Sequence, residues 1–145
     1  MSKSLPSTNR SLPIALIRAR EGVMAPIRDM LSETSITEQQ WRVLRVLADF
    51  GRMDTKTLAD RSSLLFPSLT RIAATLRDKG FVTQTRDDQD RRRQLIEITA
   101  AGQRIINDHA PQAAQIAEGF KDILGAAEYE TLLDLLTRLD PGAQD

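Results

Sequence analysis

The stretch "LADRSSLLFPSLTRIAATLRDKGFVTQTRDDQDRRRQLIEIT", Leu58–Thr99, sets two helical patterns close together and follows them with two strand patterns around a knot of charge. In the second helical pattern Pro67 suits the first turn, Leu69, Ile72, Ala73 and Leu76 recur at helical spacing, and Gly80 ends the run. Just upstream, "MDTKTLADRS" predicts a shorter helix opened by Asp54 or Thr55, with Leu58 and Ala59 turned inward. Two short helices this close, the second with Ser68, Thr70 and Arg71 in its first turn, are the plan of a helix-turn-helix.

"FVTQTR" reads as a strand from its β-branched and aromatic content, and "QLIEIT" as another, with Ile96 and Ile98 on one face and Leu95 and Glu97 on the other. Between them, Arg86–Arg93 packs three aspartates and four arginines into eight consecutive positions. Standing alone, a hairpin tip of mixed charge is a solvated turn. Behind a helix-turn-helix it has a second reading. Arginines on a narrow loop reach into the minor groove, and an aspartate beside them holds a guanidinium extended by a bidentate bond. Asp90 and Arg92, two apart, suit that arrangement, so the aspartates aim the arginines. Asp87, Asp88 and Asp90 also have the close spacing a hard cation takes. The turn glycine and distal glutamate of a calcium loop are missing, however, and the arginines oppose a cation. Arg61, Arg77 and Lys79 read equally as solvated charges or phosphate clamps.

Working outward, "TEQQWRVLRVLADFG" predicts a helix with Thr37 as N-cap, Gln40 as capping-box partner and Gly51 at the end. Trp41, Leu44, Val46, Leu47 and Phe50 supply its apolar stripe. An earlier helix begins near Pro13 and carries Ile14, Leu16, Ile17, Val23, Met24, Ile27 and Leu31; Pro26 inside it predicts a kink or break. The leading "MSKSLPSTNRS" reads as a short disordered segment with no apolar core or cleavage pattern. After Ala100 come two more helical segments, with Pro111 interrupting the first, Gly125 near their junction and Pro141 after the end.

At 145 residues the chain fits one domain. No apolar run approaches bilayer length, which predicts a cytoplasmic protein without a membrane partner. The absence of cysteine excludes disulfides, thiolate catalysis and thiolate metal sites, and the single histidine, His109, argues against zinc and reads as structural. No nucleophile has a base in a recognisable pattern and no glycine-rich phosphate loop occurs, so neither an enzyme nor a cofactor is expected. The net charge of zero is unevenly spread. Residues 1–60 carry nine Lys/Arg against seven Asp/Glu, residues 61–99 eight against five, and residues 100–145 three against eight. This pattern suits a centre that faces a polyanion and an end that faces elsewhere.

Trp41 at helical spacing is most simply core, and Arg42 and Arg45 most simply make surface or intrahelical pairs, as do Arg18 and Arg20. The same set has a functional reading. A tryptophan beside two arginines, with two more on the first helix, can line a cavity for an aromatic carboxylate, the ring stacking while an arginine forks the acid.

In order, the elements are a helix, a helix-turn-helix, a charged wing and two terminal helices. With "ITEQQWRVLRVLADFG", "LADRSSLLFPSLTRIAATLRDKGFV" and "DDQDRRRQLIEITAAGQ" in those places, the chain resembles the MarR family of winged-helix transcription regulators from about Leu12 to Leu139. Within the family, "IALIRARE", "TEQQWRVLR" and "PSLT" look most like the branch that represses homoprotocatechuate (3,4-dihydroxyphenylacetate) degradation operons. The resemblance implies a mainly α fold with a small β-hairpin wing: a single domain, 1–145, with dimerisation helices at 12–35 and 100–140 and a winged helix-turn-helix lobe at 36–99. It implies a homodimer on a pseudo-palindromic double-stranded operator. Ser68, Thr70 and Arg71 would lie in the major groove, and Asp90 would brace Arg92, with Arg91 beside it, in the minor groove. The carry-over is weakest at Arg71, so the operator sequence stays open. It further implies a phenolic or aromatic acid effector, for which Arg20, Trp41, Arg42 and Arg45 are the candidates. The peroxide-sensing branch needs a cysteine and is excluded. A rival reading from another class is a winged-helix protein-interaction module that binds no DNA.

Overall fold

A computed structural model describes residues 4–144. Its helices are α1 (Leu12–Leu31), α2 (Glu38–Phe50), α3 (Thr55–Arg61), α4 (Phe66–Asp78), α5 (Ala100–Leu124) and α6 (Ala126–Leu139). Three strands, β1 (Met53–Asp54), β2 (Val82–Arg86) and β3 (Gln94–Ile98), form one antiparallel sheet in the order β1-β3-β2. The fold is thus mainly helical with a small sheet, as expected.

The helix boundaries follow local chemistry. Thr37 Oγ1 accepts from the Gln40 N–H while Gln40 Oε1 accepts from the Thr37 N–H, closing the capping box that opens α2. Asp54 caps α3 through the Thr57 N–H, and Thr99 caps α5 through the Gly102 N–H. Gly51 and Gly125 stop α2 and α5 with φ of 84° and 86°, a region that costs other residues a Cβ clash.

Several expectations need correction. Pro26 and Pro111 do not break their helices, which run unbroken through both positions. Each proline forfeits one helical hydrogen bond. On both sides of Pro111, however, Ile105, Ile106, Ala113 and Ile116 pack on one core, and just after Pro26 Met30 and Leu31 are buried in it with Ile27 packed against them. Phe50 is 59% exposed rather than part of the α2 stripe, and its ring lies 4.4 Å from the Arg61 guanidinium carbon. The anticipated two-stranded hairpin gains a third strand, with Met53 opposite Ile96 and Asp54 opposite Leu95. In the leading segment, residues 8–10 form a 3-10 turn instead of a disordered run, and residues 1–3 lie outside the described ones.

Two apolar clusters organise the chain. The larger joins Val43, Leu44 and Leu47 of α2 with Leu58, Leu69, Ile72, Leu76, Val82 and Ile96. Removing any of its fully buried leucines to alanine would cost about 2–5 kcal/mol. The smaller holds Met30, Leu31, Ile36 and Trp41, and Phe81, Ile105 and Ile106 pack against both. By contrast, α6 has no buried residue and exposes Leu132, Leu133, Leu135, Leu136 and Leu139. Leu12, Leu16, Ile17 and Val23 of α1 are exposed as well. No helix among the described residues is long and apolar enough to cross a membrane.

Candidate functional site

The first turn of α4 meets solvent. Ser68 is half-buried, Thr70 and Arg71 are exposed, and the Thr70 hydroxyl donates to the Phe66 carbonyl at 3.0 Å. Leu69, Ile72, Ala73 and Leu76 anchor the opposite side of the helix in the core, which fixes which face is presented. The wing loop lies across an open trough of about 660 Å³ from α3 and the first residue of α4, with Lys56, Phe66, Arg92 and Arg93 among its walls.

Within the wing each arginine has a different setting. Arg92 is 92% exposed, and its Nε lies 3.2 Å from Asp90 Oδ1, the same oxygen that accepts its backbone N–H at 3.1 Å. The contact is therefore through a single oxygen, since residues 87–93 form a turn and not a strand, and the terminal guanidinium nitrogens stay open to solvent. Arg86 donates to the Arg91 carbonyl at 2.8 Å. Arg91 and Arg71 are exposed and enter no ion pair among the described residues. Arg93, which sequence reasoning missed, reaches inward: one nitrogen lies 2.7 Å from Asp54 Oδ2 and another 3.4 Å from Asp87 Oδ2. The Asp54 carboxyl is held below the ordinary carboxylate range by the Thr57 N–H first, with the Thr57 hydroxyl and Arg93 adding to it against burial.

The other basic candidates are exposed but already hold partners within the chain. Lys79 donates to the Ser35 carbonyl at 2.7 Å, Arg77 to Gln84 Oε1 at 2.7 Å, and Arg61 stacks on Phe50. Among the described residues no group of His, Asp or Glu is placed to hold a metal ion.

Trp41 and Arg45 line two adjoining hollows. One, of about 310 Å³, is completed by Met24, Ile27, Glu38, Arg42, Val46 and Asp49. The other, of about 280 Å³, is completed by Ile106 and four alanines of α5. Trp41 is itself buried, with His109 edge-on at a ring separation of 5.8 Å. Nδ1 of that histidine lies 2.9 Å from the Ile105 carbonyl. Arg42 is fully engaged, with two bonds to Glu38 at 3.1 and 3.0 Å and two to the Ser62 and Ser63 carbonyls at 2.8 and 3.3 Å. Arg20 is exposed on α1 and lines neither hollow, so the four anticipated residues are not brought together within one chain.

Comparison with known proteins agrees with this architecture. Residues 36–93 match the model of the MarR family. The HTH-type transcriptional regulator FarR of Neisseria gonorrhoeae is 34% identical over 92% of this chain and 91% of its own length. The homoprotocatechuate degradative operon repressor of Escherichia coli is 38% identical over 90% of this chain and 86% of its own. The crystal structure of NadR in complex with 4-hydroxyphenylacetate superimposes with a TM-score of 0.83 at 32% identity, covering 99% of this chain and 100% of that one. With that similarity spread over nearly its whole length, the chain belongs to the MarR family of transcriptional regulators.

Proposed function

We propose that the protein is a dimeric repressor of an aromatic-compound catabolic operon, released from double-stranded DNA by a phenolic or aromatic carboxylate. The observation that carries the DNA reading is the open trough that the wing forms with α3 and the first residue of α4, with Lys56, Phe66, Arg92 and Arg93 among its walls. Beside it, α4 carries Ser68, Thr70 and Arg71 and the wing carries Asp90, Arg91 and Arg92; among the described residues Arg71, Arg91 and Arg92 pair with no carboxylate other than Asp90. The helix suits a major groove and the wing the flanking minor groove, where exposed guanidinium groups meet the strongest negative potential. Residues 36–99 make up this lobe.

The exposed apolar rows of α1 and α6 suit burial against a second copy, which supports reading residues 12–35 and 100–140 as the dimerisation region. The acidic excess of residues 100–145 keeps that end away from phosphate. Two copies would read half-sites about one helical turn apart, roughly 34 Å. The effector reading rests on the hollows. Trp41 lines both, and Arg45 is exposed at the border of both, placed to fork a carboxylate. In this reading Arg42 shapes the floor, while Arg20 belongs to the α1 face. That NadR was crystallised with 4-hydroxyphenylacetate supports an aromatic acid as ligand. Release follows if the acid binds better to a dimer whose recognition helices are wrongly spaced for successive grooves.

The test is fluorescence anisotropy on labelled duplex from upstream of the protein's own gene and on scrambled duplex, with and without a panel of aromatic acids. Specific binding weakened by one acid is the expected result. Equal, feeble binding to both duplexes would overturn the reading in favour of a protein-interaction module.

A further inference from the structure

We propose that Arg93 is the positioning residue of the wing: its guanidinium pins the loop to the start of α3, so that wing and helix-turn-helix approach DNA as one rigid unit. The inference rests on the DNA-binding reading and assigns a role within it to three residues that contact no DNA, Arg93, Asp87 and Asp54.

The loop closes on itself at its base, where the Asp87 N–H donates to the Arg93 carbonyl at 3.0 Å. From the same point the Arg93 side chain grips Asp87 Oδ2 at 3.4 Å and Asp54 Oδ2 at 2.7 Å. Asp54 is in turn fixed three ways. It pairs with Leu95 in the sheet, and it accepts from the Thr57 N–H at 2.8 Å and from the Thr57 hydroxyl at 3.1 Å. A planar guanidinium suits this double grip because its fork holds two acceptors at set angles, as an ammonium cannot. Arg93 therefore joins the wing base to the helix that precedes α4 across the trough.

Charge alone does not account for these residues. One cation between two carboxylates is a net negative cluster on the face read as meeting a polyanion, and long-range attraction would be better served without the aspartates. Their side chains are also the covered ones: Asp54 is 21% and Asp87 15% exposed, against 92% for Arg92. Exposed Arg91 and Arg92 remain the groove-facing pair, and the aspartates serve them by holding the loop at a fixed angle.

The sign of the effect separates the two accounts. Asp87→Asn and Asp54→Asn each remove a negative charge while keeping an oxygen for the turn or the cap. If the cluster matters only through its charge, both variants bind DNA more tightly. If it positions the wing, both bind specific duplex roughly three- to ten-fold more weakly, a change worth about one factor of ten at most. The loss also disappears in an Arg91→Ala/Arg92→Ala background, where there is nothing left to aim. Hydrogen exchange on the free protein gives a readout without DNA: the amides of residues 87–93 should exchange faster in Asp87→Asn, at an unchanged unfolding midpoint. Unchanged exchange, tighter binding, or a loss that persists in the double-alanine background overturns the clamp. A wild-type chain without specific DNA binding, but with faster wing exchange in the variant, instead fails the DNA-binding reading and removes the clamp's role with it.

Discussion

The Arg42 guanidinium donates to the Ser62 carbonyl across 2.8 Å and thereby joins the floor of the Trp41 hollow to the turn of the helix-turn-helix. It also reaches the carbonyl of Ser63, whose φ of 54° places a residue other than glycine in the left-handed region. Such a residue costs about 1–2 kcal/mol, so the turn needs support from outside. A cation at the carbonyl end of α3 supplies it, with Glu38 holding the other edge of the same guanidinium.

Arg42→Ala should therefore lower stability by about 1.5–3 kcal/mol, the range for a lost charged hydrogen bond to a partly buried group. Arg42→Lys should recover less than half, because an ammonium cannot serve Glu38 and the turn together. Urea unfolding checks both, and an unchanged midpoint for the alanine variant would remove the support argument. Since the same group borders the hollow, the alanine variant should also reduce the factor by which an aromatic acid weakens DNA binding.

Beside that bond, the Ser62 hydroxyl is fully buried and has no hydrogen-bond partner among the described residues. Ser62→Ala removes an unsatisfied polar group at almost constant volume, so stability should hold or rise by about 1 kcal/mol. Gly102 behaves oppositely. A Cβ there would press on the Phe81 carbonyl oxygen and come within 2.8 Å of Ile98 Cγ1. Alanine's helix preference is worth about 1 kcal/mol, but overpacking against a backbone atom costs roughly 1–3 kcal/mol. A net loss is expected for Gly102→Ala by thermal unfolding, and a gain would mean that α5 can shift away from β3.

What was legible in the sequence was what depends on near neighbours. The Thr37–Gln40 box, the Asp54 cap and the apolar faces of α2 and α4 all sit within a turn or two of chain. Phe50 failed because helical spacing marks a stripe without saying how far along the helix the core extends. The two residues of β1 are too few to alternate, and only pairing with β3 defines them. The Arg93 bond to Asp54 spans 39 residues and the Arg42 bond to Ser62 spans 20, so no local pattern announces either. His109 likewise meets Trp41 only because α5 packs on α2. For the ligand candidates, sequence named the residue types, but Arg42 and Arg45 differ in availability through partners contributed by another element.

Stability should fall in acid partly through Asp54. Its carboxyl titrates below the ordinary 3.8 in the folded chain, held there chiefly by the Thr57 N–H. A depressed folded value means that the stabilisation is fully present above the unfolded value and is lost as pH falls through the folded one. The difference in unfolding free energy between the wild type and Asp54→Asn should thus be constant near neutrality and shrink below about pH 4. A difference that stays level into strong acid would show that the carboxylate charge contributes nothing there.

The two hollows make a last prediction about ligand contacts. The chain has one tryptophan, so a ligand seated against Trp41 reports directly through quenching or shift of the only indole emission. Arg45→Ala should weaken an aromatic acid by about ten-fold or more, since a bidentate carboxylate bond in a partly desolvated site is worth about 1.5–3 kcal/mol. The same variant should leave the amide or alcohol analogue of that acid nearly unaffected, because only the acid group is lost from recognition. Arg20→Ala, on the exposed face of α1, should leave titrations of the monomeric hollow unchanged and act, if it acts, on dimer association. Equal losses for acid and amide in Arg45→Ala would mean that Arg45 shapes the hollow instead of pairing with the carboxylate. The anion would then have to be met by a cation from outside this chain's own hollow, which an Arg20→Ala loss in the dimer would identify.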